Sequence, residues 1–187
     1  NFAKEATPVT ILEHIKNSHL IFDGAMGTML QKSGMKVGEI PDMLSLKNPE
    51  LLQSIHKAYV EAGCDCVTTN TFGANRHKIP DTSIADLITA AVNNAKAANP
   101  KYVALDVGPI GQLLSPLGTL SFKEAYDIFK EQVVAGEKAG ADVIIFETFS
   151  DLMELKIGIL AAKENTSLPV FATMSYQENG RTFVGTD

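Results

Sequence analysis

The sequence has no tryptophan, only two cysteines and no long apolar run. Cys64 and Cys66 are too close together for an ordinary disulfide framework, which is typical of proteins from a reducing compartment. No stretch approaches the roughly 20 apolar residues of a membrane span, and no signal-peptide pattern is found. These absences predict a cytoplasmic protein without a membrane partner.

Positive charge is also scarce. The chain has 16 lysines and arginines against 22 aspartates and glutamates, which gives a formal net charge of −6. Phosphate backbones and anionic lipids repel such a protein, so we expect no nucleic-acid partner. Its 187 residues are 45% hydrophobic, enough for one globular domain with a sizeable core.

The chain does contain a strict alternation of strand and helix patterns. Continuous apolar runs of this kind are typical of parallel strands buried on both faces. We predict such strands at roughly 20–23, 65–70, 102–106, 142–147 and 169–174. The Thr10–Glu13 capping box, Asn48-Pro49 and Gly140 mark helix ends between or beside them. Residues 1–9 are predicted to form an arm, and residues 33–47 a loop.

A repeated βα unit points to one parallel architecture. Ala62-Gly63-Cys64-Asp65 precedes one predicted strand, and Ala139-Gly140-Ala141-Asp142 precedes another. Such a repeat, without a Gly-x-Gly-x-x-Gly nucleotide turn, favours an α/β (β/α)8 TIM barrel over a doubly wound sheet. A barrel needs eight strands and only about five βα units are present. We therefore expect residues 1–187 to be the N-terminal part of a barrel domain whose C-terminal part is missing from this chain.

Four predicted strands end in a polar residue: Asp23, Asn70, Asp106 and Glu147. In a parallel barrel these ends share one rim, where active sites form. Each residue could instead stabilise a turn or cap a helix, and the Gly-Pro after Asp106 explains a turn by itself. This alternative is weaker for Glu147, because glutamate is a poor cap and Ser150 is available for the next helix.

The first strand end suggests a ligand. In Asp23-Gly24-Ala25-Met26-Gly27-Thr28, the glycines allow close approach to the backbone, and amides at the start of the following helix can bind an anion. With Asp23 binding an ammonium, this turn would form a small amino-acid site. Asp-Gly is equally common in ordinary turns, so both interpretations stay open here.

Five ordered motifs in the chain resemble the homocysteine S-methyltransferase family. They are Asp23-Gly24-Ala25-Met26-Gly27-Thr28, Thr69-Asn70-Thr71-Phe72-Gly73-Ala74-Asn75, Asp106-Val107-Gly108-Pro109, Phe146-Glu147-Thr148, and Gly180-Arg181-Thr182 with Gly185-Thr186. The resemblance runs from about Leu20 to Asp187. Within the family, the chain most resembles the N-terminal homocysteine-binding module of cobalamin-dependent methionine synthases.

The resemblance implies a barrel methyltransferase in which zinc holds homocysteine as its thiolate, and the thiolate accepts a methyl group to give methionine. The implied methyl donor is methylcobalamin on another module. Membership of a branch of the family that uses a different methyl donor stays open. Cobalamin and folate modules, in the same or another chain, are the implied partners. The implied substrate-binding residues are Asp23 and Glu147 for the amino group, the amides of Gly24, Ala25, Gly27 and Thr28 for the carboxylate, and Asn70 lining the pocket. No further catalytic residue is expected in this chain.

The family's zinc ligands are three cysteines on later strands, and no position here matches them. We therefore expect those ligands beyond Asp187 and no turnover by this fragment alone. Cys64 and Cys66 fall at a strand start, opposite the site, and the scattered histidines His14, His19, His56 and His77 are not assigned to metal.

Two other functions are alternatives to this one. A barrel aldolase or lyase would need a lysine at a strand tip for Schiff-base chemistry, and none of the predicted strand ends offers one. A partial barrel that serves as a non-catalytic binding or assembly piece stays open.

Overall fold

A computed structural model describes residues 9–186 of the chain. The arm predicted for residues 1–9 lies outside the described residues, apart from Val9. The helices are α1 (Ile11–Asn17), α2 (Met26–Lys32), α3 (Leu44–Lys47), α4 (Pro49–Glu61), α5 (Ile84–Ala97), α6 (Phe122–Ala139) and α7 (Leu152–Asn165), with a 3-10 helix at Pro41–Met43. The strands are β1 (Cys66–Thr68), β2 (Tyr102–Val107), β3 (Val143–Phe149) and β4 (Val170–Met174).

The four strands form one parallel sheet in chain order, β1-β2-β3-β4. One helix lies between each strand and the next, which is the winding of a (β/α) barrel and confirms the predicted architecture. No helix within residues 9–186 is long and apolar enough to cross a bilayer.

Alternate residues of each strand face opposite sides of the sheet, and this alternation positions the site. Val103, Leu105 and Phe146 belong to the large core shared with helices α5, α6 and α7. Ala104 and Ile145 point the other way, into a smaller core closed by Ile11 of α1. The residues that continue this second face beyond them are Asp106 and Glu147.

The first predicted strand, residues 20–23, is reduced to one parallel bridge between Phe22 and Cys66. Backbone hydrogen bonds join Cys66 N–H to the Ile21 carbonyl and Asp23 N–H to the Cys66 carbonyl, and side chains accept the next N–H group on either side. Asp65 Oδ2 accepts the Ile21 N–H at 3.0 Å, and Asp23 Oδ2 accepts the Thr68 N–H at 3.0 Å. Ile21, predicted to be buried, is 55% exposed.

Three local predictions need correction. The predicted loop 33–47 contains the 3-10 helix and α3, which begin where Pro41 supplies a preset helical φ. Asp151, not Ser150, caps α7, because its carboxylate accepts the Met153 N–H at 2.8 Å. β2 and β3 end one and two residues further along than predicted, so Asp106 and Glu147 lie inside these strands and are not their last residues.

Candidate active site

A cavity of about 710 Å³ opens at the carboxyl ends of the strands. Its size suits a small-molecule ligand. The lining residues come from the bridge segment and start of α2, the 3-10 helix, β1 and its following loop, β2 and β3. They are Phe22, Asp23, Gly24, Ala25, Met26, Gly27, Pro41, Asp42, Thr68, Thr69, Asn70, Thr71, Phe72, Gly73, Asp106, Ile145 and Glu147. Six of the seven predicted substrate-binding residues therefore share one cavity; Thr28 is exposed and does not line it.

Asp23 is held rigidly at one side of the cavity. Its two carboxylate oxygens accept hydrogen bonds from the Thr68 N–H and the Thr68 hydroxyl, each at 3.0 Å. Burial raises the pKa of Asp23 to about 6, against the lowering effect of the Thr68 hydrogen bonds. Asp23 is therefore mostly ionised at neutral pH, with lone pairs remaining for a cationic ligand.

The start of α2 presents its backbone beside Asp23. Ala25 is the N-cap, and no side chain of the described residues caps it, so the first amides of the helix keep their donors. The Tyr59 hydroxyl donates to the Ala25 carbonyl at 3.1 Å and fixes this turn. A Cβ on Gly24 would lie 2.9 Å from the Tyr59 ring, so the turn requires glycine there.

Asn70 and Asp42 bind the loop after β1 to the 41–45 segment. Asn70 Nδ2 donates to the Pro41 carbonyl at 2.7 Å, and Asp42 Oδ1 accepts the Gly73 N–H at 2.7 Å. Burial raises the pKa of Asp42. Sequence reasoning missed Asp42, because it follows no strand pattern and lies in a stretch without periodicity.

A β-bulge aims Glu147 at the cavity. The pairing of β3 with β4 is irregular between Phe146 and Phe149, and Thr148 has φ 57°, a conformation that β-branched residues rarely adopt. The Thr148 N–H donates to Thr173 Oγ1 at 2.9 Å. The extra residue leaves Glu147 on the cavity side and returns Phe149 to the helix-facing core.

Asp106 lies deeper in the same cavity. Its N–H donates to Thr69 Oγ1 at 3.1 Å, and its carbonyl accepts the Thr71 hydroxyl at 2.7 Å. Its side-chain Oδ1 is buried without a hydrogen-bond partner among the described residues. Burial, followed by the neighbouring Glu147 charge, raises the pKa of Asp106 well above its ordinary value. The sequence places Asp106 at a strand end, but its Gly-Pro neighbours explain a turn by themselves, and the predicted substrate-binding residues do not include it.

These side chains do not fit a zinc site. No group of three or more histidine, cysteine, aspartate or glutamate side chains within residues 9–186 is arranged to hold a metal ion. The thiols of Cys64 and Cys66 are free, and burial raises both of their pKa values, which keeps them protonated and poor as ligands. Cys66 also begins β1, at the end of the sheet away from the cavity.

The geometry combines carboxylates with unpaired helix amides on one cavity wall. Carboxylates favour a cation, and amides at a helix start favour an anion. A ligand that carries an ammonium and a carboxylate on one carbon, an α-amino acid, matches both.

Comparisons with known proteins point to one family. A family model described as homocysteine S-methyltransferase matches residues 20–187. Methionine synthase of Mycobacterium tuberculosis (strain ATCC 25618 / H37Rv) is 30% identical over 95% of this chain, and that of Mycobacterium leprae (strain TN) is 29% identical over 95%. The alignments cover 17% and 16% of those two proteins, so the chain spans about a sixth of their length.

Solved structures of the homocysteine methyltransferase MmuM from Escherichia coli share the fold. The oxidised form aligns with a TM-score of 0.82 at 22% identity, covering 97% of this chain and 70% of that one. The apo form aligns with a TM-score of 0.75 at 23% identity, covering 96% and 68%. At this identity the likeness concerns the fold alone.

Proposed function

Because the chain belongs to the homocysteine S-methyltransferase family, we propose that it binds homocysteine in the strand-end cavity and presents the sulfur for methylation to methionine. The observation that carries the proposal is the juxtaposition of Asp23, Glu147 and the start of α2 around one cavity. We assign residues 1–187 to a homocysteine-binding barrel domain. The cytoplasmic location expected from the sequence stays a prediction.

The proposed roles follow from charge and hydrogen bonding. Asp23 and Glu147 bind the substrate ammonium from two sides, since charge-assisted hydrogen bonds are strong where solvent is partly excluded. The amides of Gly24, Ala25 and Gly27 bind the carboxylate. Thr28, which lies outside the cavity lining, keeps only its backbone amide as a proposed contact.

The proposal includes zinc and methylcobalamin, both held by protein groups other than the described residues of this chain. A zinc ion in such an enzyme would lower the pKa of the substrate thiol and yield the attacking thiolate. The described side chains do not fit it, so the role derived for this chain is to bind and orient the amino acid. Methylcobalamin is the proposed methyl donor, and cobalamin and folate modules are the proposed partners.

Titration calorimetry with L-homocysteine tests the ammonium site. Glu147→Gln should weaken binding about 10- to 150-fold, because a hydrogen bond to a charged group is worth about 1.5–3 kcal/mol. In the complete domain, the substitution should leave the zinc content unchanged.

Glu154→Gln is the matched control. Glu154 is a buried glutamate whose Oε1 accepts the Ile110 N–H at 2.7 Å, and it does not line the cavity. Its substitution should leave homocysteine affinity unaltered. Equal affinity of wild type and Glu147→Gln would refute the assigned role.

A further inference from the structure

The cavity holds more carboxylates than one ammonium can pair with. Asp23, Asp42, Asp106 and Glu147 all line it. Asp23 and Asp42 are stabilised by protein N–H donors, from Thr68 and Gly73. Asp106 differs, because its Oδ1 has no partner among the described residues and the residue is only 7% exposed.

The strand register brings Asp106 and Glu147 together. Asp106 lies opposite Ile145 in the parallel β2–β3 pair, and Glu147 follows two residues later on the same face. Neighbouring carboxylates repel each other in a partly dry cavity, so this register disfavours two negative charges here unless a cation lies between them.

We propose that Asp106 and Glu147 hold one proton between them in the free protein, and that the ammonium group of the bound amino acid displaces it. Asp106 thereby becomes a third ammonium-binding residue. This inference rests on the proposed amino-acid site and adds a property to it: substrate binding is coupled to proton release.

The surrounding charges favour this arrangement. The main charges acting on Asp106 are the carboxylates of Glu147 on β3, Asp42 on the 3-10 helix and Asp23 after the bridge, and with burial they raise its pKa. The amine of Lys78 acts on Asp42. Burial and these neighbouring negative charges therefore disfavour the ionised form of Asp106, and an arriving positive charge opposes that effect.

The proton balance is simple. The free pair carries one negative charge and one proton; the substrate enters as R–NH₃⁺ and keeps its three protons. The shared proton leaves to solvent, and both carboxylates then face the ammonium. No covalent bond and no redox change is involved.

L-Methionine is the probe, because its thioether has no thiol proton that could add to the number of protons released on binding. Calorimetric titrations of the protein in buffers of different ionisation enthalpy give the protons released per methionine bound. They are best run at about pH 7.5, where Asp23, with a pKa of about 6, is already ionised. We expect roughly half a proton or more for wild type and for Glu154→Gln, and close to none for Asp106→Asn.

A second readout needs no variant. Wild-type affinity for methionine should rise with pH, by up to about tenfold per unit. The shared proton would be refuted if Asp106→Asn released as many protons as wild type on binding methionine. It would also be refuted if wild type released none and its affinity did not change with pH. Either result would leave the amino-acid site itself intact. Failure of both methionine and homocysteine to bind wild type would overturn the site itself and the inference with it.

Discussion

Replacing Asp23 by asparagine should stabilise the protein at neutral pH and weaken amino-acid binding at the same time. Asparagine keeps the shape of the side chain, and its amide can form both contacts to Thr68, since the hydroxyl can turn to accept. What it removes is the buried negative charge that the proposed ammonium site requires.

The size of the stabilisation follows from the pKa of Asp23. Its rise from 3.8 to about 6 corresponds, at about 1.4 kcal/mol per pH unit, to roughly 3 kcal/mol, which is an upper estimate. A carboxyl group whose pKa is raised by folding stabilises the protein below its unfolded-state pKa, and that contribution is lost as pH rises through the folded-state value. The advantage of asparagine should therefore be near zero below about pH 4 and fully developed by about pH 7.

Urea unfolding followed by circular dichroism measures this, since the chain has no tryptophan for fluorescence. Asp65→Asn is a control of opposite sign, because the Lys101 ammonium lowers the pKa of Asp65 and its charge is stabilising at neutral pH. Homocysteine affinity of Asp23→Asn should fall about tenfold or more. A destabilised Asp23→Asn protein at pH 7, or a gain that does not vary with pH, would refute the reasoning.

Three further changes have definite expected outcomes. Gly158→Ala would place a Cβ 2.6 Å from the fully buried Phe146 ring. It should lower the free energy of unfolding by about 1–2 kcal/mol, because the cost of overpacking exceeds the gain in helix propensity. An unchanged urea midpoint would contradict this. Asp151→Ala removes the cap of α7 and should cost about 1 kcal/mol in the same assay, whereas no loss would place the cap elsewhere. A thiol reagent should modify half-buried Cys64 faster than Cys66, which is 0% exposed, as peptide mass mapping can show; equal rates would contradict the packing of β1.

Features set by neighbouring residues were predicted well. Thr10 and Glu13 form the full reciprocal capping box, Asn48 caps α4, and Gly140 ends α6 with φ 87°. Each depends on hydrogen bonds or backbone freedom within four residues, which the sequence displays directly. The parallel strands were predicted for a related reason, since continuous apolar runs require burial on both faces.

Features set by contacts distant in sequence were not predicted. Asp42 reaches the cavity through its bond to Gly73, 31 residues away. His56, a histidine to which the sequence assigns no role, is fully buried, because α4 packs it inward with Leu52 and Ile55. The bulge at Thr148 depends on pairing with β4. The sequence could therefore identify Glu147 as a candidate but could not show what orients its side chain toward the cavity.

The most direct test of the amino-acid site is a crystal structure of the protein with L-homocysteine bound. We expect the ammonium nitrogen within about 3.2 Å of carboxylate oxygens of Asp23 and Glu147, with the substrate carboxylate at the amides that begin α2. Homocysteine ordered elsewhere, or bound with its carboxylate toward Glu147, would contradict it.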